Sequence, residues 1–269
     1  MDLSMHKVII FSPNRYSLYT TTVTAMLIRK GVSIQSIYVR NLMNLKRFVS
    51  EYQRDGSRLI RKIWNKLILK EAGYQNSENI RTFRKENEIF ITDMVEFKSK
   101  FGIPVIPCND LNDPSVVDGL KNHHPDLVVF TGGGLIRQDV LNHSGHGVMN
   151  CHMGILPNYR GMDVVEWPIL ERRPEMVGIT VHFMEKGVDT GDILIKKNIP
   201  PKKDETIQAL RNRIEPIMCQ TIVDTCMDYL EGKITKIPQK ISEGKQYFKM
   251  HTILQENAKV ILSKNAHAK

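Results

Sequence analysis

Apolar positions along this chain change their period several times, and each change marks an element. Residues 7–11 (KVIIF) form an unbroken apolar run closed by Ser12, Pro13 and Asn14, the pattern of a buried strand followed by a turn. Over residues 17–30, Leu18, Val23, Met26 and Leu27 recur at helical spacing, and Gly31 supplies a stop. Residues 34–39 read as a second strand, so the opening predicts a parallel βαβ unit with a right-handed crossover. The same alternation returns later. It predicts strands over 103–106, 127–130, 147–152, 177–183 and 192–199, and a helix over 113–123. Asp163 and Glu166 are spaced as a capping box at a helix start. Residues 204–230 predict a long amphipathic helix, which Pro216 is expected to kink and Gly232 to end. Repeated βα units predict an α/β fold, a doubly wound and mostly parallel sheet. Such sheets bind ligands at the carboxyl ends of their strands. The loops after residues 11, 130, 152 and 183 are therefore the places to look for chemistry.

The alternation breaks between residues 41 and 100, which read as a charged helical insertion between two sheet strands. Within 58–70, Leu59, Ile60, Ile63, Trp64, Leu67 and Ile68 share one helical face, while Arg58, Arg61, Lys62 and Lys66 lie off it. That face is expected to cover the body of the domain; its alternative use is to dock a partner or an anionic membrane surface. The division expected is a main domain over 1–231, carrying the insertion, and a basic extension over 232–269. The tail around 246–250 is expected to add a strand or a hairpin, or to join a homodimer contact.

The net charge of +9 is uneven. Residues 41–100 hold 13 basic against 8 acidic side chains, residues 232–269 hold 8 against 2, and the remainder is slightly acidic. A basic segment and a basic tail are not the continuous basic face of a nucleic-acid binder, so a nucleic-acid partner is not expected. The amino terminus lacks the apolar run of a signal peptide, and no stretch of 18 apolar residues occurs. A cytoplasmic protein without a membrane span is the expectation. Four cysteines with no C-x-x-C pair and no zinc-finger spacing are expected to be reduced and buried, with no metal bound.

Chemistry concentrates at one strand end. Asn150 and His152 alternate with Cys151, so the amide and the imidazole face the same way and the thiol faces packing. A loop rich in glycine and proline follows, from Gly154 to Gly161. A second loop, Lys186-Gly187-Val188-Asp189-Thr190-Gly191-Asp192, offers carboxylates in a glycine-flanked turn. The run Asn150-Cys-His152-Met-Gly-Ile-Leu156-Pro157-Asn-Tyr159-Arg160-Gly161 resembles the signature of the folate-dependent formyltransferases. Gly178-Ile-Thr180-Val-His182-Phe-Met followed by Asp189-Thr-Gly191-Asp-Ile193 resembles that family's second motif at the matching distance. The likeness covers residues 100–200 well and the first forty only as a fold pattern. At Met153 and Gly154 many members have small residues, proline or serine.

The resemblance implies a Rossmann-like formyltransferase fold and 10-formyltetrahydrofolate as co-substrate, with no metal. Asn150, His152 and Asp189 would be the catalytic residues. Asn150 and a protonated His152 would stabilise charge on the formyl oxygen, and Asp189 would orient His152 and help remove the amine proton. Carried over by position, the pterin would lie against Gly134, Leu135, Ile136, Gly187 and Val188. The acceptor is expected to be a small amine, most of all that of a nucleotide-linked amino sugar, with Arg15, Tyr159 and Arg160 as its contacts. This choice rests on exclusion. Only about 38 residues follow the long helix, fewer than the barrel that accompanies methionyl-tRNA formylation. Ser12-Pro-Asn-Arg-Tyr16 lacks the glycines of a ribonucleotide phosphate loop. No regulatory domain fits before Lys7. The alternatives are a methionyl-tRNA or other small-amine formyltransferase and, in another class, a non-catalytic folate- or partner-binding module.

Overall fold

The computed structural model describes residues 5–41 and 78–265. The amphipathic stretch around Trp64 lies outside the described residues. The centre of the molecule is a seven-stranded sheet made of β1 (Lys7–Ser12), β2 (Ser33–Arg40), β3 (Val105–Cys108), β4 (Leu127–Phe130), β5 (Val148–His152), β7 (Gly178–Phe183) and β8 (Ile193–Asn198). Their spatial order is β3-β2-β1-β4-β5-β7-β8. The first five strands are mutually parallel, and β7 and β8 are antiparallel to their neighbours. The sheet is thus doubly wound and mostly parallel. β1 is central and Val8–Phe11 are wholly buried, as an apolar strand covered on both faces should be.

Period-two alternation divides the core. Val8, Ile10, Met149 and Cys151 point to one side, where α1 (Leu18–Arg29) and the long α7 (Ile207–Leu230) pack. Ile9, Phe11, Phe130 and Val148 point to the other, toward α4 (Pro114–His123). α1 starts where the Ser17 hydroxyl accepts from Thr20 N, and the chain turns at Gly31 with φ +82°. α2 (Glu78–Glu86) and α3 (Val95–Phe101) stand between β2 and β3, and α2 packs on α7. Pro216 lies inside α7, which continues through it to a turn at Gly232 with φ +72°. Short α5 (Gln138–Leu141) and α6 (Glu166–Leu170) precede and follow β5.

Two expectations need correction. The strand over 103–106 lies two residues further on, over Val105–Cys108, because Pro104 has no N–H for the ladder and only its carbonyl is used, accepting from Ile37 N. Asp163 and Glu166 form no capping box. Glu166 is buried in an ion pair with Arg211 of α7, and the Asp163 carboxylate accepts from Met250 N at 2.7 Å. The loop after residue 183 leaves β7 at the opposite edge of the sheet and returns Asp189 to the carboxyl end of β5. β7 runs against β5, so Phe183 lies opposite Met149 while Thr180 lies opposite His152. The tail adds a strand: β9 (Lys245–Tyr247) pairs in parallel with the three-residue β6 (Tyr159–Gly161), and α8 (Thr252–Asn265) packs on α6.

Candidate active site

The register of β5 and β7 builds the site. Asn150 pairs directly with His182 and His152 with Thr180, so all four side chains leave the same face of the sheet. Cys151 leaves the opposite face, and burial pushes its thiol far up, away from nucleophile chemistry. From β7 the chain runs through a loop that brings Asp189 to this face. Its Oδ2 is 3.5 Å from His152 Nδ1 and its Oδ1 is 3.7 Å from His182 Nε2. The predicted trio is brought together, with His182 as a fourth member packed edge-on to His152 at 6.2 Å.

Each member is held differently. His152, 8% exposed, places Nε2 2.9 Å from the Tyr159 carbonyl. That approach needs a glycine at 154, since a Cβ there would lie 2.7 Å from both atoms. Thr180 fixes the same loop by donating to Gly154 O and accepting from Leu156 N. Asp189 adopts a left-handed φ of 51°, a conformation costly for a residue with a side chain, and Gly161 N donates to its Oδ2 at 2.8 Å. His182 is wholly buried. Its Nδ1–H donates to Phe183 O, and its Nε2 has no hydrogen-bond partner. Burial holds its pKa down, at about 4, against the opposing pull of Asp189. The ring is therefore neutral at neutral pH, with the Nε2 lone pair facing a carboxylate oxygen. No described residue hydrogen-bonds the half-buried Asn150 amide.

The remaining expected contacts divide. Gly134 and Leu135 are exposed, and the turn is braced by Asn112, which donates to Leu135 O and accepts from Arg137 N. The Ile136 side chain is in the core, so only its backbone can face a ligand. Gly187 is exposed and Val188 half-buried. Arg15 is engaged in a two-pronged pair with Asp93. The Tyr159 ring is buried, stacked on Tyr247, with its hydroxyl on Glu171. Arg160, on the opposite side of β6, is buried with its Nε unpartnered and no carboxylate partner among the described residues. His182 and the tail contacts were not predicted. The alternation Thr180-x-His182 within a strand was the available signal for the histidine.

The formyl transferase family model matches residues 70–226. Among curated relatives, the methionyl-tRNA formyltransferase of Geobacter sulfurreducens is 36% identical over 138 residues, 51% of this chain and 43% of that protein. That of Caldanaerobacter subterraneus is 29% identical over 159 residues, 58% of this chain and 51% of that protein. The match thus spans about half the length of these relatives. Among solved structures, a sugar N-formyltransferase from a Shewanella species superposes with a TM-score of 0.59 at 15% identity, covering 96% of this chain and 88% of that one. Glycinamide ribonucleotide transformylase 1 from Symbiobacterium toebii gives 0.57 at 15%, covering 87% and 95%. With the family model spanning more than half of it, including both motif loops, this chain belongs to the formyl transferase family.

Proposed function

We propose that this chain moves a formyl group from 10-formyltetrahydrofolate to the primary amine of a nucleotide-linked amino sugar. The observation that carries the reading is the placement of Asp189 between His152 and His182 on the face that also bears the unpartnered Asn150 amide. The residues present fit the co-substrate: a free amide and an exposed glycine turn offer hydrogen bonds to its polar groups. When bound, 10-formyltetrahydrofolate supplies an electrophilic formyl carbon and a stable amine leaving group.

The chain's own residues do the rest. Asn150 donates a hydrogen bond where negative charge develops on oxygen, a contribution of ~3–4 kcal/mol for such a donor. The Tyr159 carbonyl and the Asp189 carboxylate lie against the two ring nitrogens of His152 and orient the imidazole next to Asn150, beside the same oxygen. Asp189 Oδ1 and His182 Nε2 are two acceptors facing each other, so the proton lost by the attacking amine is held between them and returned to the departing amine nitrogen, which leaves neutral. Arg160 supports an anionic acceptor, because a buried guanidinium without a carboxylate calls for a counter-charge such as a diphosphate. The fold shared with sugar N-formyltransferases over 96% of the chain is compatible with this acceptor.

A second reading, methionyl-tRNA as acceptor, is favoured by the 36% identity to a methionyl-tRNA formyltransferase. The test is incubation with 10-formyltetrahydrofolate and a panel of nucleotide-linked 4-amino sugars, methionyl-tRNA and glycinamide ribonucleotide, with mass spectrometry for the formyl adduct. A formylated nucleotide sugar is expected. Label on tRNA alone replaces the sugar reading. No adduct and no affinity for a folate analogue removes the enzyme altogether.

A further inference from the structure

We infer that residues 237–250, beyond the span matched by the family model, form a positioning strap that holds both loops of the site, with Gln239 as its central residue. The strap begins where Ile237 and Ile193 exchange backbone hydrogen bonds at 2.8 Å, at the start of β8. Two residues on, the Gln239 side-chain amide donates to Asp189 O at 3.1 Å and to Gly191 O. It therefore grips the backbone of the residue whose φ is left-handed and whose carboxylate joins His152 to His182. The grip is itself half-buried, and Gln239 Oε1 has no partner, so the amide is oriented by its two acceptors alone.

The strap then crosses the other loop. Lys245 N donates to Asn158 O at 3.2 Å, Met162 N to Tyr247 O at 3.0 Å, and Met250 N to the Asp163 carboxylate. Gly161 fits only because it lacks a Cβ, which would sit 2.2 Å from Tyr247 O. Between these anchors lie the two groups that fix the site: Tyr159 O, which meets His152, and Gly161 N, which meets Asp189. One segment thus sets the backbone on both sides of the His152–Asp189 contact. Misplacement of a reacting group by about 1 Å can cost roughly 100-fold in rate. A strap that acts through these backbone groups can therefore govern turnover.

The kinetic part rests on the formyl-transfer reading, while a spectroscopic part stands apart from it. The full chain is compared with Gln239→Leu and Gln239→Glu, using 10-formyltetrahydrofolate and a nucleoside-diphosphate 4-amino sugar, with ring nitrogen NMR of His152 at one pH. The expected result is a kcat lower by about 10- to 100-fold. KM for the folate should stay within about twofold, melting should remain cooperative, and the His152 ring resonances should move because Asp189 has shifted. Wild-type kcat together with unmoved His152 resonances overturns the inference. Should the leucine variant fail to fold, the near-isosteric glutamate variant, which also lacks the donor, carries both measurements. If the unaltered chain transfers no formyl group, the activity fails and the His152 resonances alone decide the strap: moved in its favour, unmoved against it.

Discussion

Two strand ends of the sheet treat their polar groups in opposite ways. At the carboxyl edge of β1 and β4, hydroxyls satisfy one another. Thr20 Oγ1 lies 2.7 Å from Thr131 Oγ1 and 2.9 Å from Ser17 Oγ, Thr131 donates to Phe11 O, and Ser12 donates to Asn14 O. Even the exposed Arg15 is matched by Asp93. Around β5 and β7 the Asn150 amide and His182 Nε2 are left open, and Asp189 is held at an unfavourable φ. The buried His182 Nε2 has no partner, which costs ~1–3 kcal/mol, a cost that ligand chemistry at this strand end can offset. The satisfied strand end reads as scaffold and the open one as the candidate site.

The sharpest way to break this contrast is one substitution at each strand end. Asn150→Ala should lower kcat by about 100- to 1000-fold, the range for loss of one oxyanion donor, with little change in melting temperature. Thr20→Val should do the reverse. It removes one hydrogen bond each from Thr131 and Ser17, which keep Phe11 O and residue 20 N as partners, at a cost of ~0.5–1.5 kcal/mol per bond, seen as a fall in Tm of a few degrees, with kcat within a few-fold. Equal losses of kcat in two folded variants would erase the distinction between scaffold and centre.

A medium effect comes from His182. Its folded pKa is about 4, held down chiefly by burial, while an unfolded chain titrates near 6.5. Between these values the unfolded state binds a proton that the folded state refuses, so stability falls as pH drops through that window. The loss is on the order of 3 kcal/mol once pH reaches 4. Melting curves at pH 7 and pH 4.5 should show the wild-type chain losing several degrees more than His182→Gln. Identical losses would mean that the ring is not buried in its neutral form.

How much of this was legible follows from range. The strand over 127–130 and the shared face of Asn150 and His152 depend on neighbours one to four residues away, and both are visible in a period of two. Strand direction is not encoded in periodicity, so the antiparallel β7, and with it the route of Asp189 to the site, was invisible. Glu166 looked like a capping residue because its partner Arg211 is 45 positions distant. Gly154 departed from the family pattern without explanation until its contact distance to His152 and Tyr159 gave one. Gln239 carried no sequence signal, since its partners are carbonyls that any residue possesses.

The smallest effect separates two arginines. Arg160 is buried with no carboxylate partner among the described residues, whereas Arg15 is half-exposed and already paired. To meet a phosphate, Arg15 would first have to release Asp93, and an exposed pair of this kind is worth at most ~1 kcal/mol. Arg160 has nothing to release. Removing a charge-assisted hydrogen bond costs ~1.5–3 kcal/mol, so Arg160→Gln should raise KM for a nucleotide sugar by roughly 10- to 100-fold. Arg15→Gln should raise it by no more than about fivefold, the equivalent of ~1 kcal/mol. Steady-state kinetics with the sugar varied at saturating folate decides the order. Should Arg15 carry the larger effect, the acceptor's anion reaches the strand end whose hydroxyls satisfy one another, and the boundary between scaffold and site moves to the loop after β1.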